Sequence, residues 1–139
     1  MLEEWLGIPG YPEVEALDLS EGMLAIAAGK QVYVRLHRLA LGGPLPFADG
    51  CFAGVVSTGV FTTGHVGAEG LAELLRICRR SGVVVLTIKC TLWDAGFSRA
   101  IEAAVTAGQI AIAEQPAPYV SMPGEEGTTP SLAIALRQL

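Results

Sequence analysis

Three groups of residues in this 139-residue chain have types and spacing suited to chemistry. The first is Ser57-Thr58-Gly59, small residues near the end of the apolar run Phe52 to Val60 within LPFADGCFAGVVSTGVF, Leu45 to Phe61. In an open α/β sheet, ligands sit in the crevice outside the carboxyl ends of the strands, and small residues there let a ligand approach the backbone. The second is Asp18, a carboxylate at the carboxyl end of the short apolar segment Val14 to Leu19. The third is imidazole: His37 lies in an alternating segment and His65 in the loop after Phe61, and the chain has no other histidine. Cys51, Cys78 and Cys90 are widely spaced, contain no Cys-x-x-Cys pair and have only two histidines to complete a metal site. They read as buried free thiols, and no metal is implied.

The elements that must position these groups alternate. Val14 to Leu19 reads as a buried strand, and Ser20 follows as a helix N-cap with Glu21 in the first turn. Met23, Leu24 and Ala27 supply an apolar stripe up to Gly29. Val32 to Arg38 alternates apolar and polar residues, as an edge strand does. A Gly-Gly-Pro loop leads to the strand at Phe52 to Val60. Ala68 to Arg80 places Leu71, Leu74, Leu75 and Cys78 on one helical face and ends in arginines. Val83 to Ile88 is apolar at every position but Thr87, which predicts a parallel strand buried on both faces.

A helix is predicted over Asp94 to Gly108, with Phe97, Ile101, Ala104 and Val105 on its inner side. Ile110 to Ala113 and Pro118 to Met122 read as extended segments, kept to a sheet edge by Pro116 and Pro118, and Ser131 to Leu139 as the last strand. Before Pro12, the chain reads as at most a helical turn broken by Gly7 and Gly10. Strands alternating with helices make this an α/β chain, expected to be a single domain over 1-139.

Composition narrows the function. Hydrophobic residues make up 51% and charged residues 17%, so the chain is globular rather than disordered. A net charge of -5 with nine Lys and Arg opposes a nucleic-acid surface, which needs a basic face. Apolar runs are far shorter than a membrane span and the start Met-Leu-Glu-Glu is acidic, so a soluble cytoplasmic protein with a small-molecule partner is expected, without nucleic acid or membrane.

ALDLSEGML at Ala16 to Leu24, LPFADGCFAGVV at Leu45 to Val56 and LLRICRRSGVVVLTIK at Leu74 to Lys89 stand in order along the chain. Together they resemble three successive signature blocks of the class I S-adenosylmethionine-dependent methyltransferases. Within that superfamily the chain is most similar to the small-molecule methyltransferases related to the Williams-Beuren syndrome region methyltransferase-like proteins. The resemblance runs from about Gly10 onward. It implies a Rossmann-like sheet, mostly parallel with a C-terminal antiparallel strand, and S-adenosylmethionine as cofactor, leaving S-adenosylhomocysteine.

By this resemblance, Asp18 is the acidic residue that binds the ribose hydroxyls, with Leu19 beside it and Met23 bordering the adenine. Ser57, Thr58 and Gly59 match the strand end where backbone approaches the methionine moiety. His65 is the best-placed general base and Tyr119 lines the substrate side. The sequence also departs from the pattern. The acidic residue that contacts the adenine amino group becomes Leu41, and the Asp that follows the Phe becomes Ala53. The family's first strand and its Gly-x-Gly-x-Gly loop have no counterpart, so the first strand and its helix are expected to be largely missing.

In the family's sheet order, 3-2-1-4-5-7-6, that gap falls between the Val14 strand and the Phe52 strand. Three outcomes are open: direct pairing of those two strands, repair by a partner chain in a homodimer through exposed strand edges, or a marginally stable monomer. Two functions follow, a methyltransferase or a non-catalytic methyltransferase-derived fragment serving as an interaction module.

Overall fold

The computed structural model describes residues 13-139. Gly7, Gly10 and the broken helical turn expected there lie outside the described residues. The chain forms two compact units, Met1–Leu41 and Gly42–Leu139.

In the first unit, strand β1 (Glu15–Asp18) and strand β2 (Arg35–Arg38) pair in parallel from Glu15 opposite Arg35 to Asp18 opposite Arg38. Helix α1 (Glu21–Gly29) connects them, started by Ser20, whose side chain accepts from the Met23 backbone N–H. The predicted strand from Val32 is thus shorter, and Val34 just precedes it, its N–H donating to the Val14 carbonyl at 2.8 Å. The expected apolar stripe of α1 is not covered. No residue of the helix is buried, and Met23 is 54% exposed. Its sequence, EGMLAIAAG, spreads small and apolar residues around the whole helix instead of gathering them on one face.

The second unit is a four-stranded sheet in the order β3-β4-β6-β5. Strand β3 (Phe52–Phe61) runs parallel to β4 (Cys78–Lys89). Helix α2 (Glu69–Ile77) joins them. After β4 come a short α3 (Cys90–Leu92), a π-helical segment Trp93–Phe97, α4 (Ser98–Thr106) and β5 (Ile110–Glu114). Strand β6 (Ser131–Gln138) then inserts antiparallel between β4 and β5. All strands of this unit except β6 therefore run the same way. Within each sheet the strands have the neighbours that the expected order gives them, and the fold is the Rossmann-like α/β fold that the resemblance implies.

Among the described residues, the deeply buried ones all lie in the second unit. Val84, Leu86 and Ile88 alternate along β4, Leu132, Ile134 and Leu136 along β6, and Phe61, Phe97 and Ile101 complete the core. The rings of Phe61 and Phe97 meet edge to face with centroids 5.0 Å apart. β4 is not buried on both faces as predicted, because Val83, Val85 and Thr87 on its other face are only half-buried.

Four expectations are corrected. The helix predicted to Arg80 ends at Ile77, and Cys78 is already extended at ψ 131°. The chain must turn into register there: Cys78 pairs with Phe52, Ser81 takes φ 62°, and Gly82 packs so tightly that a Cβ would fall 2.7 Å from the Ala53 carbonyl. The helix predicted from Asp94 is interrupted at Gly96, φ 138°, and Val105 is exposed, since Ile101 and Ala104 already fill the contact. Pro118 to Met122 forms only a bridge, Tyr119 opposite Ser131. Lastly, among the described residues β1 pairs with β2 alone and β3 with β4 alone, so the two strands flanking the gap do not pair directly. Four residues of β1 supply few ladder bonds to offset the ordering this requires. Among the described residues no helix is long and apolar enough to cross a membrane.

Candidate functional site

In the first unit, Asp18, Leu19 and Met23 come together at the β1–α1 junction. Asp18 ends β1 half-buried, and its Oδ1 accepts from the Ser20 backbone N–H at 2.8 Å. That bond fixes the carboxylate beside the helix start while Oδ2 keeps its lone pairs among the described residues. Ser20 Oγ in turn accepts from the Met23 N–H at 3.3 Å. Leu19 and Met23 are both exposed, which rules out core packing for Met23 within the described residues. Arg38 reaches back to the same junction, donating from Nε to the Leu19 carbonyl at 3.3 Å and pairing with Glu21. In the same two-stranded sheet, His37 Nε2 lies 2.6 Å from Glu15 Oε2, which places this imidazole in a cross-strand pair.

In the second unit, Ser57, Thr58 and Gly59 do not end β3 as expected. The ladder loses register after Ser57 and resumes at Phe61, opposite Ile88. Gly59 makes the interruption, with φ 72° and no atom within 4 Å of where a Cβ would stand. The reason the strand resumes is Phe61, fully buried against Phe97. Ser57 is buried, whereas Thr58 and Gly59 are exposed. The result is a bare, left-handed backbone position near the carboxyl end of β3, a conformation only glycine adopts without strain.

His65 is exposed in the loop that follows, its backbone N–H donating to the Thr62 carbonyl at 3.2 Å. Tyr119 is also exposed and held by two backbone bonds of 2.8 Å to Ser131, which pairs with Lys89 at the carboxyl end of β4. Leu41 and Ala53, where acidic residues were expected, bring no carboxylate. Of the thiols read as buried, Cys78 is buried, Cys90 half-buried and Cys51 exposed, because Cys51 follows the Asp49-Gly50 turn before β3 begins. Burial pushes the Cys78 thiol up from its ordinary pKa. Among the described residues no three His, Cys, Asp or Glu side chains gather as metal ligands.

The structure adds residues that pattern reading did not single out. Thr87 Oγ1 accepts from the Gly59 N–H at 3.2 Å, tying the bare backbone to β4. Its signal was present, as the lone polar residue in an apolar run. Thr63 and Thr91 join hydroxyls at 3.1 Å, linking the His65 loop to the start of α3. Arg76 had read only as a charge near a helix end. Its guanidinium donates to the carbonyls of Leu45 at 3.1 Å and Phe47 at 2.8 Å and pairs with Asp49 and Glu73. Glu73 also accepts from the Leu45 N–H at 2.6 Å. This network fixes the turn that launches β3. The Arg76 guanidinium, followed by the Leu45 N–H, holds the Glu73 carboxyl down at about 2.

Comparison with known proteins gives the family and the fold. Methyltransferase-like protein 27 of Homo sapiens is 32% identical over 99 residues, 70% of this chain and 40% of the relative, so the chain spans about 40% of that relative's length. Among solved structures, the [4+2]-cyclase SpnF covers 97% of this chain and 69% of its own at 11% identity and a TM-score of 0.67. Geranyl diphosphate C-methyltransferase from Streptomyces coelicolor, solved with Mg2+, geranyl diphosphate and S-adenosyl-L-homocysteine, covers 91% of this chain and 63% of its own at 12% identity and a TM-score of 0.63. At such identities these two show the fold, and a fold hosts more than one chemistry. The family model for the methyltransferase domain matches residues 3–86, more than half of the chain. The chain therefore belongs to the class I S-adenosylmethionine-dependent methyltransferases.

Proposed function

We propose that this chain binds S-adenosylmethionine and transfers its methyl group to a small-molecule nucleophile, leaving S-adenosylhomocysteine. The observation that carries the proposal is Asp18, held at the end of β1 by the Ser20 N–H with one carboxylate oxygen open. A carboxylate so placed accepts from vicinal ribose hydroxyls, and exposed Leu19 and Met23 offer apolar surface to an adenine. Ser57, Thr58 and Gly59 serve the methionine side, where Gly59 leaves the backbone uncovered. His65 acts as general base and Tyr119 lines the acceptor side. Methyl transfer of this kind works mainly by positioning and by excluding water, so a short list of side chains suffices.

Isothermal titration with S-adenosylhomocysteine tests the proposal. One molecule should bind per chain, and Asp18→Asn should weaken binding by roughly ten-fold or more, the scale of a lost charge-assisted hydrogen bond. Absence of heat and of any thermal shift at millimolar ligand refutes cofactor binding. His65→Ala should lower turnover without changing that titration.

A second reading is an interaction module that dimerises through a strand edge, and β3 favours it. Its ten residues, FAGVVSTGVF, carry no charge and no proline, and Val56 is 47% exposed. Natural edge strands are usually blunted by such residues, and an unblunted one pairs with another chain. Sedimentation should then show a dimer that Val56→Lys dissociates, whereas a monomer at all concentrations rules this reading out.

A further inference from the structure

At the carboxyl end of β4, three consecutive residues reach out to two different loops. Lys89 closes the strand, and its Nζ donates to the Thr129 carbonyl at 2.9 Å. Cys90 donates its backbone N–H to the Pro130 carbonyl at 2.9 Å. Thr91, one residue on, joins its hydroxyl to that of Thr63 at 3.1 Å. The first two bonds hold the segment that leads into Ser131, whose backbone holds Tyr119 through two bonds of 2.8 Å. The third holds the turn that carries His65. Residues 89–91 thus fix the His65 turn and the Tyr119 segment from one base, all within the second unit.

The make-up of the His65 turn shows what Thr91 adds. The His65 N–H donates to the Thr62 carbonyl at 3.2 Å, and Gly64 between them takes φ 82°, as the third residue of a type II turn does. Thr63, Gly64 and His65 are all exposed, so packing does little to fix where the turn points. The two ends of the loop are tied only to their own neighbours, by the Thr62 N–H to the Val60 carbonyl at 2.9 Å and by the Gly67 N–H to Glu69 Oε1 at 3.0 Å. Among the described residues, the Thr63–Thr91 bond alone ties residues 63–65 to another element by a hydrogen bond. A general base must come within about 3 Å of the proton it takes, and a turn free to swing holds that distance only for a fraction of the time. We propose that Thr91 is the positioning residue of the proposed general base: its hydroxyl pins the Thr62–His65 turn to the end of β4, on the base that also holds Tyr119, and so sets the imidazole where the acceptor gives up its proton. The assignment rests on His65 acting as general base and adds that one exposed hydroxyl governs its placement.

Nitrogen-15 relaxation of the full chain reads the tether directly. In the unaltered chain the Gly64 and His65 amides should be as ordered as the β4 backbone, with order parameters of about 0.85. Thr91→Val keeps the shape of the side chain and loses the hydroxyl, and should lower both values toward about 0.6 while leaving the Tyr119 amide as it was. Thr91→Ser restores the hydroxyl and should recover them. Melting should be the same in all three proteins, because both hydroxyls are exposed. Turnover is followed as S-adenosylhomocysteine formed from S-adenosylmethionine, with 1-naphthol and thiophenol as acceptor probes. Thr91→Val should lower kcat roughly three- to ten-fold, the scale of one neutral hydrogen bond, with KM for S-adenosylmethionine unchanged, and Thr91→Ser should recover it. A kcat that is unchanged in His65→Ala refutes the general base and this assignment with it. A kcat that falls in His65→Ala and holds in Thr91→Val overturns this assignment alone. So do Gly64 and His65 amides that stay ordered in Thr91→Val, that are already mobile in the unaltered chain, or that Thr91→Ser leaves mobile.

Discussion

The edge-to-face pair of Phe61 and Phe97 should couple core stability to the backbone that the methionine side of the cofactor is proposed to meet. Both rings are buried to within 2% of complete, and they cross at 69° with centroids 5.0 Å apart. Phe61 lies two residues beyond the left-handed Gly59, and Phe97 closes the π-helical segment that leads into α4. Replacing either ring by alanine would cost about 3–5 kcal/mol. That is a large share of the roughly 5–15 kcal/mol that holds a typical domain together, so the informative substitutions are Phe61→Leu and Phe97→Leu, which keep most of the volume. Each should cost up to about 1.5 kcal/mol. The double variant should cost less than the sum by about 0.5–1.5 kcal/mol, the part that belongs to ring-on-ring contact. Urea unfolding of the four proteins closes the cycle, and hydrogen exchange reads its local effect: the Gly59 N–H, bonded to Thr87 Oγ1, should lose protection in either variant. A coupling within about 0.3 kcal/mol of zero, or Gly59 protection falling only as much as global stability, would refute the claim that this pair pulls the strand back into register after Gly59.

Three further outcomes are expected. Residues 42–139 expressed alone should fold cooperatively, because every deeply buried residue among the described ones belongs to Gly42–Leu139, whereas residues 13–41 alone should be unstructured by circular dichroism, since two four-residue strands do not hold a sheet. Acid should weaken the chain partly through Glu73. Its folded carboxyl is held at about 2 against an ordinary value of 4.5, so its contribution is complete above about 4.5 and lost as pH falls toward 2. Glu73→Gln should therefore flatten the melting-temperature profile across that window, and an unchanged acid slope would show that Arg76 does not stabilise the charged form. Gly82→Ala should destabilise by about 1–3 kcal/mol, because its Cβ would press on the carbonyls of Ala53 and Arg79. Denaturant midpoints will test this, with a neutral result showing that the β4 entry relaxes freely.

The reading from sequence succeeded where the signal was local. Ser20 before an apolar stretch marked the start of α1, and Leu71, Leu74 and Leu75 marked the buried face of α2. That Ser131 to Leu139 forms the last strand was legible, yet its place in the middle of the sheet was not written in those residues and came only from the family resemblance. Helix ends were misplaced where tertiary register outweighed propensity. Cys78 to Arg80 continue a helical pattern, yet pairing with Phe52 and the crowding at Gly82 pull them into β4. Exposure was the least legible property. Met23, Leu24 and Ala27 read as an apolar stripe in sequence, yet apolar residues lie all round α1 and no residue of the helix is buried. At the candidate site, residue type pointed to Asp18 and Gly59, but Thr87 meets Gly59 28 residues away, and Arg76, besides its near partner Glu73, meets Asp49, Phe47 and Leu45 27 to 31 residues away, which no short motif encodes.

The distribution of burial also bears on how the proposed activity would operate. Asp18 is carried on a two-stranded sheet whose connecting helix has no buried residue, while Gly59 is carried on the well-packed sheet of the second unit. On the proposed function, the ribose carboxylate thus belongs to the less stable part of the chain, and a ligand that engages it must meet the cost of ordering that part out of its own contact energy. Regions that bind and close are drawn from the low-stability end of a structure for this reason. Affinity for the cofactor is then governed as much by how much of the β1–α1–β2 segment is already ordered as by the contacts Asp18 makes. Substitutions that stiffen α1 without touching ligand, such as Gly22→Ala at a position with room for the methyl group, would tighten binding through preorganisation, whereas substitutions that strengthen the β4–β6 core would raise stability and leave affinity where it was.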